Sequence, residues 1–194
     1  MSNKMAIINT PLYGLGMNDR LTKPDWIRHG LRTLANDGAD ALKVGPMSAA
    51  LKVSRGSFYW HFRDIADFRL QVLQSWQERA VDQVIVETEA RIAEPDRFAH
   101  LMRHAFGIKR NLDRAVRSWG LQDENVATLV AAVDSRRVAY MAKLLIASGV
   151  ESRRAVSRAT FIYWAYLGQP IIMEPRYSSI TEAAMDDISD LYVA

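Results

Sequence analysis

The stretch Lys43 to Phe62, KVGPMSAALKVSRGSFYWHF, constrains the fold more than any other part of the chain. Met47, Ala50 and Leu51 fall at i, i+3 and i+4, and Phe58 and Phe62 lie four apart further on. Apolar residues at that spacing share one face of an α-helix. Lys52, Val53 and Ser54 interrupt the period, so the stretch reads as two short helices joined by a tight turn. Pro46 is tolerated in a first helical turn, where its missing N–H costs nothing, and Gly45 before it can serve as the cap. Ser54 then offers a hydroxyl to the opening N–H groups of a second helix running from Arg55 to about His61.

That second helix carries Arg55, Ser57, Tyr59 and His61 beside Gly56, which lets a backbone come close to a partner. A major groove accepts such a helix, with Ser, Arg and Tyr meeting base edges or phosphate oxygens. By spacing alone the same residues equally describe a solvent-facing amphipathic helix over an aromatic core. Trp60 is expected to pack on the adjacent helices rather than on a partner.

Charge is distributed unevenly around this stretch. From Arg20 to Arg63 eight basic residues face three acidic ones, whereas from Val86 to the end 14 of each sign balance. The positive charge therefore sits with the helix pair, as phosphate neutralisation requires.

Further classes are excluded by what is missing. With no cysteine there is neither a disulfide framework nor a thiolate site. No run of about 18 apolar residues is present, so no membrane-spanning helix is expected. The apolar-leaning run from Met5 to Met17 is broken by Asn9, Pro11, Gly14 and Gly16, unlike a secretory signal. Residues 1–20 are expected to be a flexible N-terminal segment and the location cytoplasmic. Neither a phosphate-cradling glycine loop nor a nucleophile elbow occurs, so no catalytic residue and no cofactor is assigned.

Ahead of the helix pair, Thr22 followed by Asp25, with Pro24 between, marks a helix start. Ile27, Leu31, Leu34 and Ala35 continue it on one face to about Asp37, and Gly38 ends it. Gly30 inside that helix costs roughly 1 kcal/mol relative to Ala, offset by close packing against the next helix.

A capped helix, the Gly38 break and then LKVGPMSAALKVSRGSFYWHFRDIADF together resemble the N-terminal DNA-binding domain of the tetracycline-repressor (TetR) family of transcriptional regulators. The core of the match is Val53-Ser54 followed after four residues by Tyr59-x-His61-Phe62, and it covers residues 22 to 70 or so. The resemblance implies that Ser57, Tyr59 and His61 approach bases or phosphates, and that Met47, Leu51, Phe58 and Phe62 hold a three-helix core. Lys43, Arg55, Gly56 and Arg63 complete the expected DNA-binding set. Three departures stand out. Lys52 replaces the usual turn glycine, Ile65 stands where the fourth helix often begins with a lysine, and Gly45 takes the place of a base-reading side chain in some members.

From Asp64 a long helix is expected, with Ile65, Phe68, Val72 and Trp76 on one face and no stop before Glu94-Pro95. Roughly 28 residues would span about 40 Å at 1.5 Å per residue. Further helices are expected from Asp96 to Gly107, Asn111 to Gly120, Asp123 to Ala147 and Ser152 to Leu167. Ser179 with Glu182 reads as a capping box for a last one, whose apolar seam is Met185, Ile188, Leu191 and Tyr192. The organisation expected is all-α. Residues 21–65 form a three-helix helix-turn-helix domain, joined by the long helix to a helical regulatory and dimerisation domain over 66–194. The resemblance implies a homodimer through the last two helices on a palindromic double-stranded DNA operator, released by a small-molecule effector. Surplus aromatics and methionines on the late helices agree with a partner surface.

For the effector, Trp76, Met102, Phe106, Trp119, Tyr140 and Trp164 are candidates to line one apolar cavity, with Arg103 or Arg136 supplying an anionic contact. Those large side chains could equally be plain core. A reading from another class is a helical metal-dependent enzyme using His100 and His104, which share a helical face at i and i+4 but lack an evident third ligand.

Overall fold

The computed structural model describes residues 21–93, 96–107 and 110–194. The described residues form an all-α fold without β-strands. The expected flexible segment 1–20 lies outside them.

Helix α1 (Lys23–Asp37) begins where its chemistry dictates. The Thr22 hydroxyl accepts from the Asp25 N–H, the Asp25 carboxylate accepts from the Thr22 N–H, and Pro24 occupies the first turn. It ends as Gly38, with φ of 82°, donates its N–H to the Leu34 carbonyl. A single 3₁₀ turn (Ala39–Ala41) leads to α2 (Val44–Ala50). Lys43 is the residue before α2, so Gly45 lies inside the first turn and is not the cap. Helix α3 (Arg55–Tyr59) starts after Ser54, whose hydroxyl makes no capping bond, contrary to expectation; the Ser54 carbonyl takes the Ser57 N–H instead.

Between α2 and α3 the chain closes by two backbone bonds, Lys52 N–H to the Ala49 carbonyl and Val53 N–H to the Ser48 carbonyl. This pairing requires a left-handed residue between them, and Lys52 supplies it with φ of 56°. Helix α8 ends in the same way: Gly149 donates to Ile146 and Val150 to Leu145, with φ of 97° at Gly149. A glycine serves there, whereas at Lys52 an L side chain carries a cost of about 1–2 kcal/mol.

Helix α4 (Ile65–Gln77) is capped by the Asp64 carboxylate, which accepts from the Asp67 N–H at 2.8 Å. It continues through a π turn (Glu78–Asp82) into α5 (Gln83–Arg91), so the expected long helix is one rod with an insertion. Within the insertion Gln83 N–H bonds to the Glu78 carbonyl, five residues back rather than four. The reason lies in the seam: after Trp76 the next fully buried side chain is Val81, one position later than an α-helix would place it. No proline or glycine announces this in the sequence.

Then follow α6 (Arg97–Gly107), α7 (Asn111–Gly120), α8 (Glu124–Ala147, capped by Asp123), α9 (Ser152–Gly168) and α10 (Glu182–Val193). Thr181, not Ser179, caps α10 by accepting from the Ala184 N–H.

Two apolar clusters hold these elements. One begins with Trp26, Phe58, Phe62 and Phe68, and passes through Val72, Trp76 and Val81 to Val116, Val126 and Val133. It therefore runs without a break from α1–α3 along α4 into α7 and the first half of α8. The other joins Phe98, Leu101 and Met102 of α6 to Leu144 and Leu145 of α8, Ile162 of α9 and Met185 of α10. Gly30 packs against α4 and not against the next helix: a Cβ there would lie 2.6 Å from Phe68 Cζ and 2.8 Å from Val72 Cγ2. No helix among the described residues is long and apolar enough to cross a membrane.

Candidate functional site

At the head of the molecule, α3 is held by one residue and presents the others. Phe58 is fully buried and meets Trp26, Phe62 and Phe68 with ring centroids 5.1 to 5.4 Å apart; Phe62 and Phe68 close the knot at 4.9 Å. Edge-on and tilted aromatic pairs of this kind add to the burial of their area. A five-residue helix cannot hold itself, so this knot fixes its angle.

The candidate DNA-binding residues fall into two groups around it. Arg55, Gly56, Lys43 and Arg63 are exposed, Ser57 is half-buried, and Tyr59 is 59% exposed. The Arg55 guanidinium lies over Gly45, its Nη2 3.2 Å from where a Cβ of Gly45 would stand. The absent side chain at Gly45 is thus what leaves Arg55 its place. His61 is engaged internally: its Nε2 lies 2.8 Å from the Leu21 carbonyl and ties the start of α1 to the end of α3. Arg63 pairs with Asp64 at 3.3 Å and donates its backbone N–H to Asp67, while its side chain remains largely in solvent. Trp60, expected to pack on the adjacent helices, is 68% exposed. Lys52, which the turn closure orients outward, joins the same exposed surface.

The candidate effector residues are not brought together. Trp76 belongs to the core of the head, Met102 to the second cluster, and Trp119 packs beside Arg69 in a groove between α1 and α7. Phe106 borders a separate surface cavity with Arg110 and Gln169. Arg103 pairs with Asp186 across α6 and α10, and Arg136 with Asp82. Trp164 is 64% exposed beside Phe161, because Tyr163 and Tyr166 take the inward positions of α9. Of the set, only Tyr140 lines the partly open cavity between the π turn, α6, α8 and α9.

That cavity has a volume of about 150 Å³. Val81, Val84, Ile85, Leu101, Tyr140 and Met141 form its apolar side, and Arg79, His104, Arg137, Tyr163 and Tyr166 its polar side. Behind the polar side lies an ion network. Asp113 accepts from Arg117 at 3.1 Å and from Arg137 at 3.0 Å; Arg117 also holds Asp134, which accepts from Tyr163 at 2.7 Å. Burial alone would push the Asp113 carboxyl up, yet Arg137 and Arg117 hold it below its ordinary range. Burial opposes the charge on both arginines, but their carboxylate partners keep them protonated beyond the usual range. Burial also raises the Tyr163 and Tyr166 hydroxyls, which stay neutral, Tyr163 as the donor to Asp134. Tyr166 lies within cation–π reach of Arg110, at 4.3 Å, and of Arg137, at 5.5 Å.

Sequence reasoning missed Arg137, Asp113, Arg117 and Asp134. Asp113/Arg117 at i, i+4 and Asp134/Arg137 at i, i+3 are the only local signs of them. His100 and His104 stack with ring centroids 6.5 Å apart, and burial followed by His104 and Arg103 lowers the His100 pKa. Among the described residues no group of three or more His, Asp or Glu is placed to hold a metal ion.

No protein-family model matches the chain, and no curated protein matches it. Among solved structures it is similar to a protein assigned as a TetR-family transcriptional regulator from Rhodococcus sp., with a TM-score of 0.62 at 14% identity. The match covers 92% of this chain and 100% of that one, and shows a shared fold over nearly the whole length.

Proposed function

We propose that the chain is a sequence-specific DNA-binding transcriptional regulator, acting as a homodimer on a palindromic operator and released from it by a small molecule. The observation that carries this reading is α3 itself. Phe58 locks one side of it into the aromatic knot, while Arg55 and Tyr59 are exposed, Ser57 is half-buried, and Lys43, Lys52 and Arg63 on the flanking segments are exposed as well. A helix held from behind, with charged and hydrogen-bonding groups in front, is what entering a major groove demands. The fold shared with a protein assigned to the TetR family supports the same reading.

Dimerisation is supported by the apolar residues left on the late helices. Phe161 and Trp164 of α9, Ile146 of α8 and Leu191 of α10 are all exposed. A two-fold dimer built on that face would present its two α3 helices to half-sites about 34–36 Å apart. The cavity beside the π turn is the effector site in this reading, since that turn forms part of its wall and belongs to the rod that carries the head. An effector acts by binding one arrangement of head and body better than the other.

Selection of genomic fragments by the purified protein at moderate salt tests the reading, with Tyr59→Ala as the comparison. The expected result is enrichment of a palindrome that Tyr59→Ala loses by at least tenfold in affinity, with an unchanged melting temperature because Tyr59 is exposed. Salt-sensitive binding without sequence preference would reduce the head to a generic phosphate binder.

A further inference from the structure

The wall of the cavity toward α4 is the π turn: Arg79, Ala80 and Val81 all line it. From the other side Arg137 of α8 reaches that turn. Its Nε donates to the Ala80 carbonyl at 3.3 Å, its Nη1 to Tyr163 Oη at 3.4 Å and its Nη2 to Asp113 Oδ1 at 3.0 Å. Of these acceptors only Asp113 is charged, and a guanidinium is held more tightly by a carboxylate than by a neutral oxygen; the bonds to Ala80 and Tyr163 are also the longer two. The neutral acceptors, Ala80 and Tyr163, are therefore the ones Arg137 yields to an incoming anion, while Asp113 is kept.

The local charge favours an anion. Arg117 and Arg137 are matched by two carboxylates, Asp113 and Asp134, and Arg110 stands nearby over the Tyr166 ring. Arg79 adds a further cation at the cavity and makes no ion pair among the described residues. Apart from His104 and the tyrosines the remaining lining, Leu101 and Met141 included, is apolar. A volume of 150 Å³ is that of a cavity which admits a benzene-sized molecule.

We propose that the cavity binds a small apolar carboxylate of about the size of benzoate, whose charge Arg137 receives in place of the Ala80 carbonyl. Occupancy then frees the π turn that joins α4 to α5. The proposal rests on the ligand-responsive reading above and gives that reading a ligand chemistry and a moving part. Because α4 shares one core with α1–α3, a π turn released at its end is passed to the head as a change of tilt.

Calorimetric titration of the full chain with benzoate and with benzamide, its neutral isostere, tests the chemistry. Amide hydrogen exchange over residues 78–84 tests the moving part. Benzoate is expected to bind at least tenfold tighter than benzamide and to speed exchange across that segment by at least tenfold. Equal binding of the two overturns the anion requirement. Benzoate binding with unchanged exchange overturns the release of the turn. No binding by benzoate, or by branched aliphatic carboxylates of similar volume, overturns the cavity assignment.

Leu101→Phe fills the apolar side without touching the ion network and is expected to abolish benzoate binding; retained binding places the ligand elsewhere and sinks the proposal. Fragment selection on the same preparation separates this idea from the reading beneath it. A selected palindrome without carboxylate binding removes the ligand proposal alone, and carboxylate binding without any selected sequence removes the regulator alone.

Discussion

In the head, Arg55 and Tyr59 are exposed on either side of Phe58, which is wholly buried; in the body, Asp113 is buried, Arg137 is largely so, and the two are paired with each other. The head keeps Arg55 and Tyr59 outward and fixes α3 chiefly by apolar contact, with His61 on the Leu21 carbonyl as the inward exception. The body turns its hydrogen-bonding groups inward and fixes them by mutual charge. Binding at the head can therefore add partners to groups that solvent now serves, at little cost to the fold. Binding in the body has to displace a partner already present, so it is coupled to a structural change from the outset.

The difference can be attacked from the head first. Phe58→Ala removes the centre of the aromatic knot, and the expected loss is about 3–5 kcal/mol in chemical denaturation. Because the same core continues to Val133, that loss should appear as one cooperative transition of head and α7–α8 together. A separate early transition of the head would break the picture of a shared core.

From the body, Asp113→Asn leaves two buried guanidiniums short of charge and is expected to cost about 3 kcal/mol at neutral pH. The pH dependence follows from the lowered pKa. The contribution of Asp113 is present above its ordinary value of 3.8 and is lost as pH falls through its still lower folded value. Melting temperatures measured from pH 6 down to pH 2 should fall less steeply in Asp113→Asn than in the wild type. Identical slopes would mean that the network does not hold the carboxylate as the geometry implies.

Much of the head was legible because local chemistry decides it. Thr22 with Asp25 marked the start of α1, Gly38 its end, and the four-residue spacing of Phe58 and Phe62 the inward face after the turn. Asp123 likewise marked α8. The body hid more. Tyr163 meets Asp134 and Arg137 from another helix, so no window of sequence contains the network. The placement of Trp60 and Trp164 went against expectation for one shared reason: a large aromatic was assumed to seek the core, while its neighbours Phe58, Tyr163 and Tyr166 had already taken the inward positions.

The smallest expected effect lies at the joint between α2 and α3. Lys52→Gly gives that turn the residue that Gly149 supplies to the matching turn after α8, and a gain of about 1 kcal/mol in stability is expected. Equal or lower stability on denaturation would show that the lysine side chain repays its backbone strain by a contact of its own.

The π turn keeps the rod in phase. Val81 stands five residues after Trp76 yet belongs to the same core, because the extra residue is taken up within Glu78–Asp82 and is not passed along the helix. An α-helix advances about 100° per residue, so without that slack the added residue would turn α4 and the head more than a quarter-turn away from α5. Deleting one residue within Glu78–Asp82 would restore an unbroken α-helix and leave the exposed face of α3 pointing where it does now. The turn is thus a take-up link, which lets one residue more than an α-helix needs run between head and body without turning either.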